Sequence, residues 1–119
     1  MNQISNVLSD KGSKYAVSGG VAKSRDDVTQ LLGKLKSKKK FAKATHNTWA
    51  LLLSDGTQLK SDDGETGAGA VMLHVLQREQ FKDHLIIVTR WYGGVHLGAD
   101  RFRHVKTCAY EYMAKFQKS

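Results

Sequence analysis

Residues 90–103 read RWYGGVHLGADRFR, which brings Arg90, Trp91, Tyr92, His96, Arg101 and Arg103 into one short stretch. Guanidinium groups beside aromatic faces stack on bases and grip phosphates. Gly93, Gly94 and Gly98 add the backbone freedom that a binding loop or a tight connection uses. The structural alternative is a strand that carries Trp91 and Tyr92 into the core, in which case one of the two rings must still face away from it. A second constellation is SDDGETGAGA, residues 61–70, with Asp62, Asp63, Gly64 and Glu65 at the mouth of a helix. Helix N-termini attract anions, but three carboxylates already supply negative charge there. That pattern reads as a self-capped helix. The calcium-loop spacing is absent, and no lysine with a following serine or threonine completes a P-loop. His46 could meet Asp62 or Asp63 as a base and its orienting group. With Glu65 and Arg90 they would form a small-molecule or metal-assisted hydrolytic pocket. Cys108 is the only cysteine, and its place beside Ala109 in a helix suits a small buried thiol. No serine sits in a nucleophile elbow, and the histidines lack metal-ligand spacing. No catalytic residue, metal ligand or cofactor is assigned.

Charge points to a different part of the chain. The 19 basic and 11 acidic side chains give a net charge of +8 and a pI near 9.7, above the value of about 9 at which a nucleic-acid partner becomes a serious reading. Between Lys11 and Lys60 eleven basic residues face only Asp26, Asp27 and Asp55, so that stretch holds the whole +8. Its densest part is GKLKSKKKFAK, with Lys34, Lys36, Lys38, Lys39, Lys40 and Lys43. Lysines at a helix C-terminus complement the dipole. Lys38, Lys39 and Lys40 in a row fit an anionic polymer as well, because each phosphate they neutralise releases counterions.

These residues need elements to hold them. A chain of 119 residues suits one compact domain, expected over 1–119 with its core from about 14 to 117. No apolar run is long enough for a membrane span, and the N-terminus lacks the pattern of a signal peptide, so the expectation is a cytoplasmic protein with no membrane partner. KYAVSGGVA, residues 14–22, alternates with period two and predicts a half-buried strand. Ser24 and Asp27 form a capping-box signature ahead of Val28, Leu31, Leu32 and Leu35, which predicts a helix over 25–37. His46 to Leu53 reads as a strand that turns at Ser54-Asp55-Gly56 and returns through Leu59. Helical spacing resumes from Thr66 to near Glu79. LIIVT, residues 85–89, is apolar on both faces, as a central strand is. Asp100 is placed to N-cap a last helix reaching Phe116. This order of elements is an α/β two-layer sandwich.

The segments THN (Thr45, His46, Asn47), DDGET (Asp62–Thr66) and RWYGGVHLGADRF together resemble the IMPACT and YigZ family over about residues 14–116, with wording closer to the IMPACT branch. The resemblance implies an α+β sandwich with a four-stranded mixed sheet and helices on one side, like the second domain of a small-subunit ribosomal protein and domain IV of elongation factor G. It also implies a link to translation. IMPACT-type proteins restrain the starvation-responsive kinase of initiation factor two by competing for its ribosome-associated activator, and bacterial members are taken to bind nucleic acid. The family motif carries over to Thr45, His46, Asn47, Asp62, Asp63, Gly64, Glu65, Arg90, Trp91, Tyr92, Gly93, Gly94, Gly98, Asp100 and Arg101, with no catalytic role attached. The expectation is a non-catalytic, translation-associated module. The lysines at 34–43 would attract RNA or the ribosome, and Arg90, Trp91, Tyr92, His96, Arg101 and Arg103 would make closer contacts. The alternatives are the hydrolytic pocket of His46, Asp62, Asp63 and Glu65, and a domain that binds a protein regulator of translation or actin.

Overall fold

A computed structural model describes residues 1–116. Its elements are β1 (Asn2–Asp10), β2 (Ser13–Val21), α1 (Arg25–Lys36), α2 (Lys39–Ala42), β3 (His46–Leu52), β4 (Gln58–Ser61), α3 (Ala68–Glu79), β5 (His84–Trp91) and α4 (Asp100–Phe116). The five strands form one sheet in the order β1-β2-β5-β3-β4, and every pairing is antiparallel. The four-stranded mixed sheet is therefore corrected to five antiparallel strands. The added strand is β1, which returns into β2 through Lys11 and Gly12 at φ 49° and 83°. Two consecutive positive φ values make the tight hairpin turn that follows the strand twist. No side chain of β1 is fully buried, and a bulge between Ile4 and Leu8 breaks its alternation, which removes the period-two signal.

Side-chain alternation along the central strands creates two cores. Tyr15, Val17, Ile86 and Val88 pack with Met72, Leu76, Val105 and Tyr112 from α3 and α4. Ala16, Leu51, Leu85 and Ile87 pack with Val28, Leu35 and Phe41 from α1 and α2. The helices thus cover both faces of the sheet, and the expected two layers with helices on one side become three. A sheet covered twice needs a middle strand apolar on both faces, and β5 is that strand. Each fully buried aliphatic side chain here contributes about 1.5–3 kcal/mol.

Local chemistry fixes the helix starts. Ser24 Oγ accepts from the Asp27 amide at 3.1 Å, and Asp27 Oδ2 accepts from the Lys23 amide at 2.8 Å. The first bond satisfies a donor that the first turn of α1 leaves open, and the second ties the chain ahead of the cap back to that turn. Asp100 is the first residue of α4 rather than the cap ahead of it. Among the described residues no helix is long and apolar enough to cross a membrane.

Candidate functional site

The alternation that builds two cores also divides the RWY segment. Arg90 pairs with Tyr15 on β2 and with His46 on β3, so it points to the α3/α4 face. Trp91 pairs with Lys14 and points to the opposite face. Tyr92 follows the strand, exposed, between the two.

On the α3/α4 face Arg90 is 5% exposed and Glu65 is 2% exposed. Arg90 Nη1 donates to Glu65 Oε1 at 2.9 Å and Oε2 at 3.2 Å, and Nη2 donates to Ser13 Oγ at 3.3 Å. Charges this deep need a partner with good geometry. The DDGET turn supplies it by using its other carboxylates on its own backbone. Asp62 accepts from the Gly69 amide at 2.8 Å and the Gly67 amide at 3.0 Å, which caps α3. The Gly67 amide first, with Gly69 adding to it, holds the Asp62 carboxyl below its ordinary range against the opposing effect of partial burial. Asp63 accepts from the Asn47 amide at 2.6 Å, and its carbonyl stands 2.9 Å from His46 Nδ1. A carbonyl only accepts, so Nδ1 carries the proton there. His46 Nε2 then faces Glu65 Oε2 at 3.6 Å. Arg101 approaches the same carboxylate, with Nε 3.8 Å from Glu65 Oε1. These groups border an open recess of about 400 Å³ that Thr45, Tyr92 and His96 complete.

The hydrolytic set therefore divides. His46, Glu65 and Arg90 come together, while Asp62 and Asp63 turn to backbone amides. Among the described residues no group of three or more histidine, cysteine or acidic side chains is placed to hold a metal ion. Cys108 is buried, and that burial pushes its thiol up to about 12, far from a reactive thiolate.

On the other face Trp91 Nε1 donates to the Lys40 carbonyl at 3.0 Å, and its ring meets the Phe41 ring edge-on at 5.2 Å between centroids. Asn47 Nδ2 donates to the Phe41 carbonyl at 3.2 Å, and Asn47 Oδ1 accepts from Thr89 Oγ1 at 2.7 Å. The motif asparagine and tryptophan thus pin α2 to the sheet. Pinned in this way, α2 and its N-cap residue Lys38 leave Lys38, Lys39 and Lys40 exposed to solvent, with Lys40 Nζ 5.0 Å from the Trp91 ring centroid. Lys34 and Lys36, in the last turn of α1, and Lys43, just past α2, are also exposed. A second recess of about 350 Å³ is lined by Asn6, Gly12, Lys14, Lys40, Trp91 and Tyr92. Tyr92 is the wall that the two recesses share.

The motif glycines have separate tasks. A Cβ on Gly93 would collide with the backbone of Gly12 and Ser13 where the β5 exit meets the β1–β2 turn. Gly94 and Gly98 take positive φ, 91° and 57°, conformations that glycine adopts without strain. Gly64, at φ 86°, lets the DDGET turn pass under His46. Arg103 is exposed and pairs with Asp100 at 3.5 Å, away from both recesses. Lys14 escapes sequence reasoning as a site residue, because only the β2–β5 register sets it beside Trp91.

Fold and site together define an α+β domain whose antiparallel sheet carries helices on both faces. The chain belongs to the family described as the Impact N-terminal domain, whose family model matches residues 11–113. It is 40% identical over 108 residues to Protein IMPACT of Xenopus laevis, covering 87% of this chain and 35% of that protein. It is 45% identical over 87 residues to Protein IMPACT of Bos taurus, covering 69% and 27%. The Caenorhabditis elegans Protein IMPACT homolog is 38% identical over 106 residues, covering 83% and 41%. The chain spans about a third of the length of these curated relatives. Among solved structures, the two-domain translational regulator Yih1 superposes with a TM-score of 0.55 at 32% identity, covering 89% of this chain and 43% of Yih1. A hypothetical protein shares the fold with a TM-score of 0.78 at 19% identity, covering 96% of this chain and 57% of its own.

Proposed function

We propose that this domain is a non-catalytic binding module of a cytoplasmic translational regulator, and that it meets RNA or the ribosome through its lysine face. The observation that carries this reading is the docking of α2 by Trp91 and Phe41, which sets Lys40 beside Lys14 at one recess and leaves the neighbouring Lys38 and Lys39 exposed. A fixed row of ammonium groups beside an aromatic ring suits a polyanion with unpaired bases. The description of Yih1 as a translational regulator supports the same direction. So does the sequence resemblance, with its implied likeness to the second domain of a small-subunit ribosomal protein and domain IV of elongation factor G.

Cosedimentation with ribosomes, with and without nuclease, tests the reading. The wild type is expected in the ribosomal pellet at low salt, and the Lys38→Glu, Lys39→Glu, Lys40→Glu variant in the supernatant. Pelleting that the lysine variant retains would overturn it. Capture of a translational regulator or of actin that survives nuclease would assign the face to a protein partner instead.

A further inference from the structure

We propose that the recess on the α3/α4 face is a binding site for a single small oxyanion, a phosphate or carboxylate group, separate from the lysine face. Two guanidinium groups border it against one carboxylate, and Arg90 Nη1 already takes both oxygens of that carboxylate, at 2.9 and 3.2 Å. Arg101 stays beyond hydrogen-bond distance of Glu65 at 3.8 Å, and its one hydrogen bond is from Nη2 to the Thr66 carbonyl at 3.4 Å. Its charge is paired only at that longer distance, with a carboxylate that Arg90 already holds. The Nε atoms of both Arg90 and Arg101 are shielded from solvent and have no hydrogen-bond partner, and Arg90 is more than nine-tenths buried. Buried donors without partners are rare, and these two leave the arginine pair short of acceptors within the protein.

The rest of the lining agrees in sign. Thr45 Oγ1 accepts from the Tyr92 amide at 2.9 Å, which leaves its own hydrogen free to donate. His46 is held by its Nδ1 contact to the Asp63 carbonyl, and His96 stands against the Tyr92 ring at 5.4 Å. Arg90, Arg101 and Thr45 therefore bring donors to the recess, and the one carboxylate among its lining is satisfied. A cation would meet two guanidinium groups, and an apolar ligand would leave the free donors unpaired. An oxyanion satisfies them, and arginine is the side chain best suited to a forked contact with it.

Titration of the full chain with inorganic phosphate, followed by NMR, tests the proposal. Sodium chloride at matched ionic strength is the control, and acetate forms a second arm. Saturable shifts are expected at Thr45, His46, His96 and Arg101 with phosphate, with acetate, or with both, and the stronger arm identifies the group. Arg101→Gln should bind about tenfold more weakly, as expected for one lost charge-assisted hydrogen bond. Thr45→Val is a second, structurally milder variant expected to weaken binding in the same direction. The Lys38, Lys39, Lys40 glutamate variant should titrate as the wild type does. The proposal is overturned by shifts that never saturate, by equal shifts with chloride, by unchanged affinity in both recess variants, or by loss of the shifts in the lysine variant. The last outcome would move the anion to the lysine face and leave the reading of that face standing.

Discussion

On one face of the sheet Arg90 reaches a buried carboxylate 2.9 Å away; on the other its neighbour Trp91 holds a short helix whose lysines stand in water. The first region directs its carboxylates to internal partners. Glu65 answers Arg90, Asp62 answers two amides of α3, and Asp63 answers Asn47. The second leaves its charges unspent, and among the described residues none of Lys38, Lys39 and Lys40 forms a salt bridge. One step along a β-strand reverses the side-chain direction, so a single motif serves as an anchor on one face and as a scaffold for a binding surface on the other. A run of cationic and aromatic residues in sequence is thus not one surface in space.

The sharpest way to separate the regions is to remove each anchor in turn. Arg90→Met leaves the Glu65 carboxylate buried with only the longer contacts to His46 and Arg101, and should cost about 3–5 kcal/mol of folding stability in urea denaturation. Adding Glu65→Gln to it should restore much of that loss. A single Arg90→Met variant within about 1 kcal/mol of wild type would mean that the pair is not an anchor. Trp91→Ala should cost less, about 2–3 kcal/mol, because the ring is half-buried and its loss removes one edge contact and one hydrogen bond. Its signature is local. Amide exchange at residues 39–43 should accelerate while the amides of Gly67 and Gly69 keep their protection.

Asp62→Ala should cost about 1 kcal/mol, as the loss of a helix cap does. The sign of its pH dependence follows from its depressed folded value. A carboxyl held below its unfolded value of about 3.9 contributes fully above that pH, and loses its contribution as pH falls through the folded value. The gap between wild type and variant is therefore expected at pH 7 and should close as the pH falls below the unfolded value and through the lower folded one. A gap that persisted in acid would show that the Asp62 charge is not what caps α3. The smallest effect on stability belongs to the lysine face, where the triple glutamate change should stay within about 0.5 kcal/mol of wild type, since all three side chains are exposed and Lys38, the N-cap residue of α2, makes no side-chain capping bond.

Much of this fold was legible from periodicity. The Ser24–Asp27 cap, the apolar run at residues 85–89 and the helical stripe ending at Phe116 each mark an element that the structure contains. What escaped had no local signal. The bulge at Asn6 interrupts the alternation of β1, and the four residues of α2 are too few to show a helical period. The apolar stripe of α1 marks a buried side without saying which face of the sheet it covers, so the third layer stayed hidden. The site was legible as a set of residues and illegible as an arrangement. The motifs name Glu65, His46, Arg90 and Arg101, but their convergence depends on the β3–β5 register and on the DDGET turn folding back beneath His46. Lys14 beside Trp91 depends in the same way on the β2–β5 register.

The division of labour between the two faces rests most heavily on how RNA affinity responds to salt. The slope of log affinity against log salt for a single-stranded RNA should fall by about 2 in the Lys38, Lys39, Lys40 glutamate variant, the amount expected when three phosphate contacts are lost, and should stay at the wild-type value in Arg101→Gln. Equal slopes in the wild type and the lysine variant, or a slope that falls only in Arg101→Gln, would contradict it.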